Sequence, residues 1–215
     1  MTTTALCISD LTSEETCREY LLKFLQKHRP QLIILAGDIT QNGPVDYAED
    51  ILEICEKRKL PVVSVHGNND PKRIQELLAQ RTVYVHARRA EVLGFEFAGA
   101  GGSGPTPFNT VCEYTHEQIT SFFKGNVNSN TIVVSHAGPR GVLDISKHQG
   151  EHAGSLAVRE MVDRDQPRAV VCGHIHEQEG EGMLGKTKIV KVAALMYGKA
   201  ALLELETLKT TFVQA

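Results

Sequence analysis

Apolar runs in this 215-residue chain keep ending in a side chain that can hold a metal ion. ALCIS ends at Asp10, LIILAG at Asp38, VVSVHG at Asn68, TIVVS at His136 and AVVCG at His174, with His176 two residues further on. One such residue means little, since an Asp after a strand more often caps a helix or forms a turn. Five strand ends predict a shared site, because ligands bind outside the carboxyl ends of strands in open α/β sheets. Oxygen from Asp and Asn with nitrogen from His suits manganese, iron, zinc or nickel better than thiolate-rich or all-oxygen sites would. Two divalent ions side by side need a shared carboxylate, and Asp38 is the candidate. Such a pair clamps the attacking and leaving oxygens at phosphorus and makes hydroxide from water near neutral pH.

The elements that must position these residues alternate in the first third. After the strand ending at Asp10, SEETCREYLLKFLQKH puts Cys17, Tyr20, Leu21, Phe24 and Leu25 on one helical face. QLIILA is a strand, VDYAEDILEICEKRK a helix with Pro44 at its start, PVVSV a strand and KRIQELLAQ a helix. Buried strands alternating with amphipathic helices predict βαβ units and a largely parallel sheet. Beyond them AEVLGFEFAGA reads as a strand pair and GGSGPTPFNTVCEY as a loop. Thr115 and Gln118 form a capping-box signature for a helix reaching Phe123. NTIVVSH and RAVVCGH are strands around the helix GSLAVREMVDRD, and KIVKVAAL, KAALLELE and TTFV are three more strands. The strand-rich second half predicts a second sheet packed on the first, with helices outside.

Composition bounds the partners. At this length one well-buried domain spanning residues 1–215 is expected, with no repeat or linker. A net charge of −3 gives no electrostatic footprint for long nucleic acid. Arg88 and Arg89 read as a solvated loop. The five cysteines are scattered, with no C-x-x-C pair, which suits a reducing compartment. MTTTALC lacks the features of a signal peptide and no run is long enough for a membrane span, so a cytoplasmic location is expected.

Four blocks carry a resemblance. GDITQNG (Gly37–Gly43) resembles the G-D-x-x-x-x-G block of the calcineurin-like metallophosphoesterases, and GNND, SHAG and GHIH follow in that family's order. GGSGPTPFN and HAGSLAVRE are similar to a small prokaryotic-type phosphodiesterase branch. The resemblance implies an α/β fold, a four-layer αββα sandwich of two mixed, mostly parallel sheets flanked by helices. It implies two divalent ions, manganese being expected, with iron, zinc or nickel as alternatives. Asp38 would bridge them, Asn68, His136 and His174 completing one site and Asp10 and His176 the other. His136, Asn68 and His174 are then the expected catalytic residues. The implied activity is hydrolysis of a small phosphate ester, as a phosphodiesterase, by metal-bound hydroxide. A homo-oligomer follows only by analogy.

Two positions depart from that pattern. The family's first block is D-x-H, and here Thr12 stands in place of the histidine. With Glu15 three residues on, Thr12 reads as a helix-capping residue, which leaves Asp10, Asp38 and His176 to hold a weaker ion. Three protein ligands plus water is still an accepted catalytic arrangement for zinc. Many relatives carry G-N-H-D, whose histidine protonates the leaving oxygen; Asn69 cannot do so. His66, His148 and His152 are candidate proton donors, and Asn69, Asn109 and His152 candidate substrate contacts. His28, His86 and His116 show no clustering. GAGGSG (Gly99–Gly104) matches a dinucleotide fingerprint, but Pro105 and Pro107 follow where a helix should open. A binding or scaffold protein on the same fold is the competing reading, motivated by Thr12 and Asn69. Random erosion would rarely spare six ligands while removing one.

Overall fold

The computed structural model describes residues 2–147 and 152–215, so His148 lies outside the described residues. The first half alternates as expected: β1 (Thr4–Ile8), α1 (Thr16–His28), β2 (Leu32–Ala36), α2 (Val45–Glu56), β3 (Val62–Val65), α3 (Lys72–Arg81) and a short β4 (Val83–Tyr84). Then follow β5 (Arg89–Val92), β6 (Phe95–Ala100), α4 (His116–Phe123), β7 (Ile132–Ser135), α5 (Leu156–Asp165) and β8 (Ala169–Cys172). The chain closes with β9 (Gly180–Leu184), β10 (Thr187–Lys191), β11 (Lys199–Glu204) and β12 (Thr210–Gln214).

The strands form two six-stranded sheets, ordered β12-β11-β1-β2-β3-β4 and β5-β6-β7-β8-β10-β9. Each is parallel through its centre, β1 through β4 in one and β6, β7, β8 and β10 in the other, with antiparallel strands at the margins. Side chains alternate faces along a strand, and that alternation sorts the core. Leu6, Ile8, Ile33 and Leu35 meet α1 and α2, while Ala5, Cys7, Ile34 and Ala36 face the second sheet with Phe97, Val134 and Val171. Val133 and Val170 face away, onto Phe123, Val158 and Met161 of α4 and α5. The layers are therefore helix, sheet, sheet, helix. Strands buried on both faces explain the unbroken apolar runs.

Several expectations need amending. No Thr12–Glu15 capping box forms: α1 starts at Thr16 with Glu15 as its N-cap and no side-chain cap bond. The backbone wins there, because Leu11 and Thr12 both donate their N–H to the Asp38 carbonyl and keep the chain out of the helix. The capping box at Thr115 and Gln118 is present in both directions. β4 and β9 were not anticipated, and Arg89 opens a strand. His86 is not isolated, since its ring packs against His66, Tyr84, Tyr114 and Phe122. GAGGSG opens no helix; β6 ends in it and α4 begins only at His116. No helix among the described residues is long and apolar enough to cross a membrane.

Candidate metal centre

The carboxyl ends of β1, β2 and β3 in one sheet and of β7 and β8 in the other open at a common edge, and all six proposed ligands lie there. Asp10 and Asp38 each follow their strand by two residues, with φ of 55° and 49°. His174 follows β8 with φ of 74°. Left-handed backbone at non-glycine residues is uncommon and gathers at functional sites. Asn68 sits in the turn after β3, and His136 directly after β7. Asp10, Asp38, Asn68 and His136 are buried, His174 and His176 partly exposed.

The ligand atoms of Asp10, Asp38 and His136 lie within 4.8 Å of one another. His136 Nδ1 donates to the Ala36 carbonyl at 2.8 Å, which turns Nε2 toward the site. That nitrogen converges with Asn68 Oδ1 at 2.9 Å and Asp38 Oδ2 at 3.6 Å. Three electron-pair donors thus share one focus. Across from them His176 Nε2 stands 3.4 Å from Asp10 Oδ1, a buried oxygen with no hydrogen-bond partner. The other Asp10 oxygen accepts from the His174 backbone N–H at 3.0 Å. The His136 and His174 rings are 5.0 Å apart. A buried acceptor left without a donor is costly, and a divalent cation satisfies it. The donor set therefore fits the hard-to-borderline ions expected of it.

Electrostatics agree. Burial alone would raise the Asp10 carboxyl, but His176 and His136 outweigh it and hold the group well below the ordinary range. Burial first, and the Asp10 charge after it, push Asp38 up. Burial, with His136 and Lys191 nearby, keeps His174 well below its usual value, hence neutral and ready to ligate. Burial would lower His176 too, but Asp10 outweighs that and raises it.

Two supporting residues had no role assigned from the sequence. Asp70, pushed up to about 6 by burial and then by Asp38, accepts from the backbone of Gly67, Ile39 and Thr40 at 2.9, 3.1 and 2.8 Å. It ties the loop carrying Asp38 to the one carrying Asn68. Lys191 is fully buried, and its ammonium donates to the carbonyl of Gly173, between Cys172 and His174. The first stands in the quoted GNND block and could have been found there. A lysine inside an apolar strand was the only signal for the second.

Of the remaining expectations, Thr12 turns its hydroxyl to Met196 Sδ at 3.4 Å. Asn69 donates its backbone N–H and its amide to the two Asp38 oxygens, at 2.8 and 2.6 Å. His66 is buried with both ring nitrogens on tyrosine hydroxyls, Tyr84 at 2.6 Å and Tyr114 at 3.1 Å. Asn109 and His152 line a cleft of about 940 Å³ together with Asp38, Asn68, Asn69, His174 and His176.

Close packing leaves the centre little tolerance. A Cβ on Gly67 would fall on the Asp38 carboxylate and its backbone N–H. Gly67→Ala should then cost at least about 1–3 kcal/mol, the usual cost of overpacking. A melting curve checks this, at about 2–4 °C per kcal/mol for a chain of this size.

Comparison with known proteins gives consistent likenesses. A family model described as calcineurin-like phosphoesterase matches residues 3–178. The chain is 30% identical over 175 residues to the uncharacterized protein MJ1162 of Methanocaldococcus jannaschii, covering 77% of this chain and 78% of that one. It is similar to the crystal structure of TT1561 of Thermus thermophilus, with a TM-score of 0.74, 20% identity and coverage of 100% and 99%. It is also similar to a dimetal phosphatase from Danio rerio, with a TM-score of 0.60, 10% identity and coverage of 100% and 99%. At such identities the structural likenesses speak for the fold.

Proposed function

Since the chain belongs to the calcineurin-like phosphoesterases, a family of metal-dependent hydrolases, we propose that it is a phosphodiesterase with a dinuclear centre, acting on a small ester. The reading rests above all on the buried convergence of Asp10, Asp38 and His136, whose ligand atoms lie within 4.8 Å of one another. Asp38 would bridge two ions, with Asn68, His136 and His174 on one and Asp10 and His176 on the other. Manganese is the proposed ion, and the likeness to a dimetal phosphatase supports the pair. When bound, such ions supply Lewis acidity and a water of lowered pKa. The chain's own part is to fix that geometry. Ala36 sets the ring of His136, Asn69 orients Asp38, and the His174 amide orients Asp10.

The cleft supports a small ester with two organic arms. Its volume is within the usual range for small-molecule sites. Phe108, Val111, Leu156 and Tyr197 are large apolar residues exposed on its lining. They offer apolar surface for the arm of a diester that stays on phosphorus, and Asn109 lines the same cleft. All five cysteines are free and buried, which suits the proposed cytoplasmic location.

The test is hydrolysis of bis-p-nitrophenyl phosphate by metal-stripped protein. Turnover should be absent until Mn²⁺ is added and should then saturate with it. No turnover with manganese, iron, zinc or nickel would overturn the reading and move the weight to a binding role on the same fold.

A further inference from the structure

With Asn69 bound to Asp38, the leaving oxygen of a substrate needs a proton from elsewhere. Among the described residues, the titratable side chains lining the cleft are Asp38, His116, Arg140, His152, His174, His176, Glu177 and Tyr197. Asp38, His174 and His176 belong to the metal centre. His116 Nε2 is engaged 3.1 Å from Glu160 on α5. Guanidinium and phenol groups in general part with a proton reluctantly near neutral pH and free carboxylates carry none to give there, which sets Arg140, Tyr197 and Glu177 aside. His66 is buried with both nitrogens occupied. His152 is different: its side chain is 46% exposed, and Nδ1 stands 2.7 Å from Oδ1 of the buried Asp144.

Asp144 is a built support. Its second oxygen accepts from the Gly141 and Gly154 backbone at 3.0 and 3.3 Å, and its own carbonyl accepts from Ala153 at 2.8 Å. A Cβ on Gly154 would press on that carboxylate and on the Arg140 backbone. The loop is closed further by Arg140 donating to the Ser155 carbonyl and Ser155 to that of Gly138, two residues past His136. A buried carboxylate behind an exposed imidazole is the arrangement that fixes a tautomer and leaves Nε2 as the nitrogen that exchanges protons.

We propose that His152, held by Asp144, is the general acid of this site and takes the role that Asn69 cannot perform. The inference rests on the phosphodiesterase reading. As the bond between phosphorus and the leaving oxygen breaks, His152 Nε2 gives its proton to that oxygen and the alcohol departs. Water supplies the new oxygen on phosphorus, its surplus proton goes to solvent, and the exposed imidazole is reprotonated from solvent. Asp144 is a positioning residue.

General-acid assistance is worth about 10²–10⁴-fold for a leaving group that needs it and little for p-nitrophenolate, which leaves unaided. The experiment compares bis-p-nitrophenyl phosphate with an alkyl p-nitrophenyl diester and a dialkyl diester, using Mn²⁺-loaded parent, His152→Gln and Asp144→Asn. His152→Gln should lose at least about 10²-fold more on alkoxide release than it loses on p-nitrophenolate release. Asp144→Asn should lose in the same direction but less. Equal losses on both leaving groups, or none, overturn the acid while leaving the phosphodiesterase reading intact. No turnover of any diester by the parent overturns that reading, and this inference with it.

Discussion

Asp38→Asn should abolish turnover, by at least about 10³-fold, and in the same variant remove the stabilisation that Mn²⁺ gives the parent. Loss of support behind a ligand already costs about 10–100-fold, and Asp38 is the carboxylate proposed to serve both ions. The second effect needs no substrate. An ion that binds only the folded state adds about 2.7 kcal/mol at a hundred times its dissociation constant. For a chain of this size that raises the melting midpoint by about 5–10 °C. The parent should show this shift and Asp38→Asn almost none of it.

The metal-free proteins should behave the other way. Burial and the Asp10 charge raise the Asp38 carboxyl in the folded state. The folded protein therefore binds more protons than the unfolded one, and Asp38 costs stability as pH rises through its raised value. An amide carries no such cost, so metal-free Asp38→Asn should melt at or above the parent at pH 7. A Mn²⁺ shift as large in the variant as in the parent would overturn Asp38 as the bridging ligand, whatever the activity.

The candidate site was legible in the sequence for a physical reason. Parallel strands buried on both faces must be apolar throughout, so a polar residue just past each one is conspicuous and its edge is fixed by topology. Asp10, Asp38, Asn68, His136 and His174 were readable in that way. Local patterns failed where tertiary contacts decided. Thr12 and Glu15 fit a capping box by spacing, yet the Asp38 carbonyl takes the Leu11 and Thr12 amides and the helix begins later. Lys191 follows the strand period but meets the Gly173 carbonyl, a partner no period reveals. β11 returns to pair antiparallel with β1 from nearly the full length of the chain away, which local reading does not reach. His86 looked bland because its ring partners come from three separate segments of the chain.

Thr12→His should tighten the weaker ion. Thr12 has φ of 50°, a conformation that a β-branched residue adopts only under strain and that histidine tolerates better. Its N–H already donates to the Asp38 carbonyl at 3.1 Å, so the backbone is anchored on the loop that supplies the proposed bridging carboxylate. The hydroxyl turns instead to the Met196 thioether. An added imidazole ligand should bring the affinity of this ion up by about 10–100-fold, the scale on which support for metal ligands is measured. Calorimetric titration of the stripped protein with Mn²⁺ should resolve a weak and a tight event in the parent and two tight ones in the variant. Turnover should rise at limiting Mn²⁺ and change little at saturation. Where Met196 crowds the ring, Thr12→His combined with Met196→Ala makes room for it. If neither variant alters the weaker event, position 12 does not face that ion, and Asp10, Asp38 and His176 hold it without need of a fourth side chain.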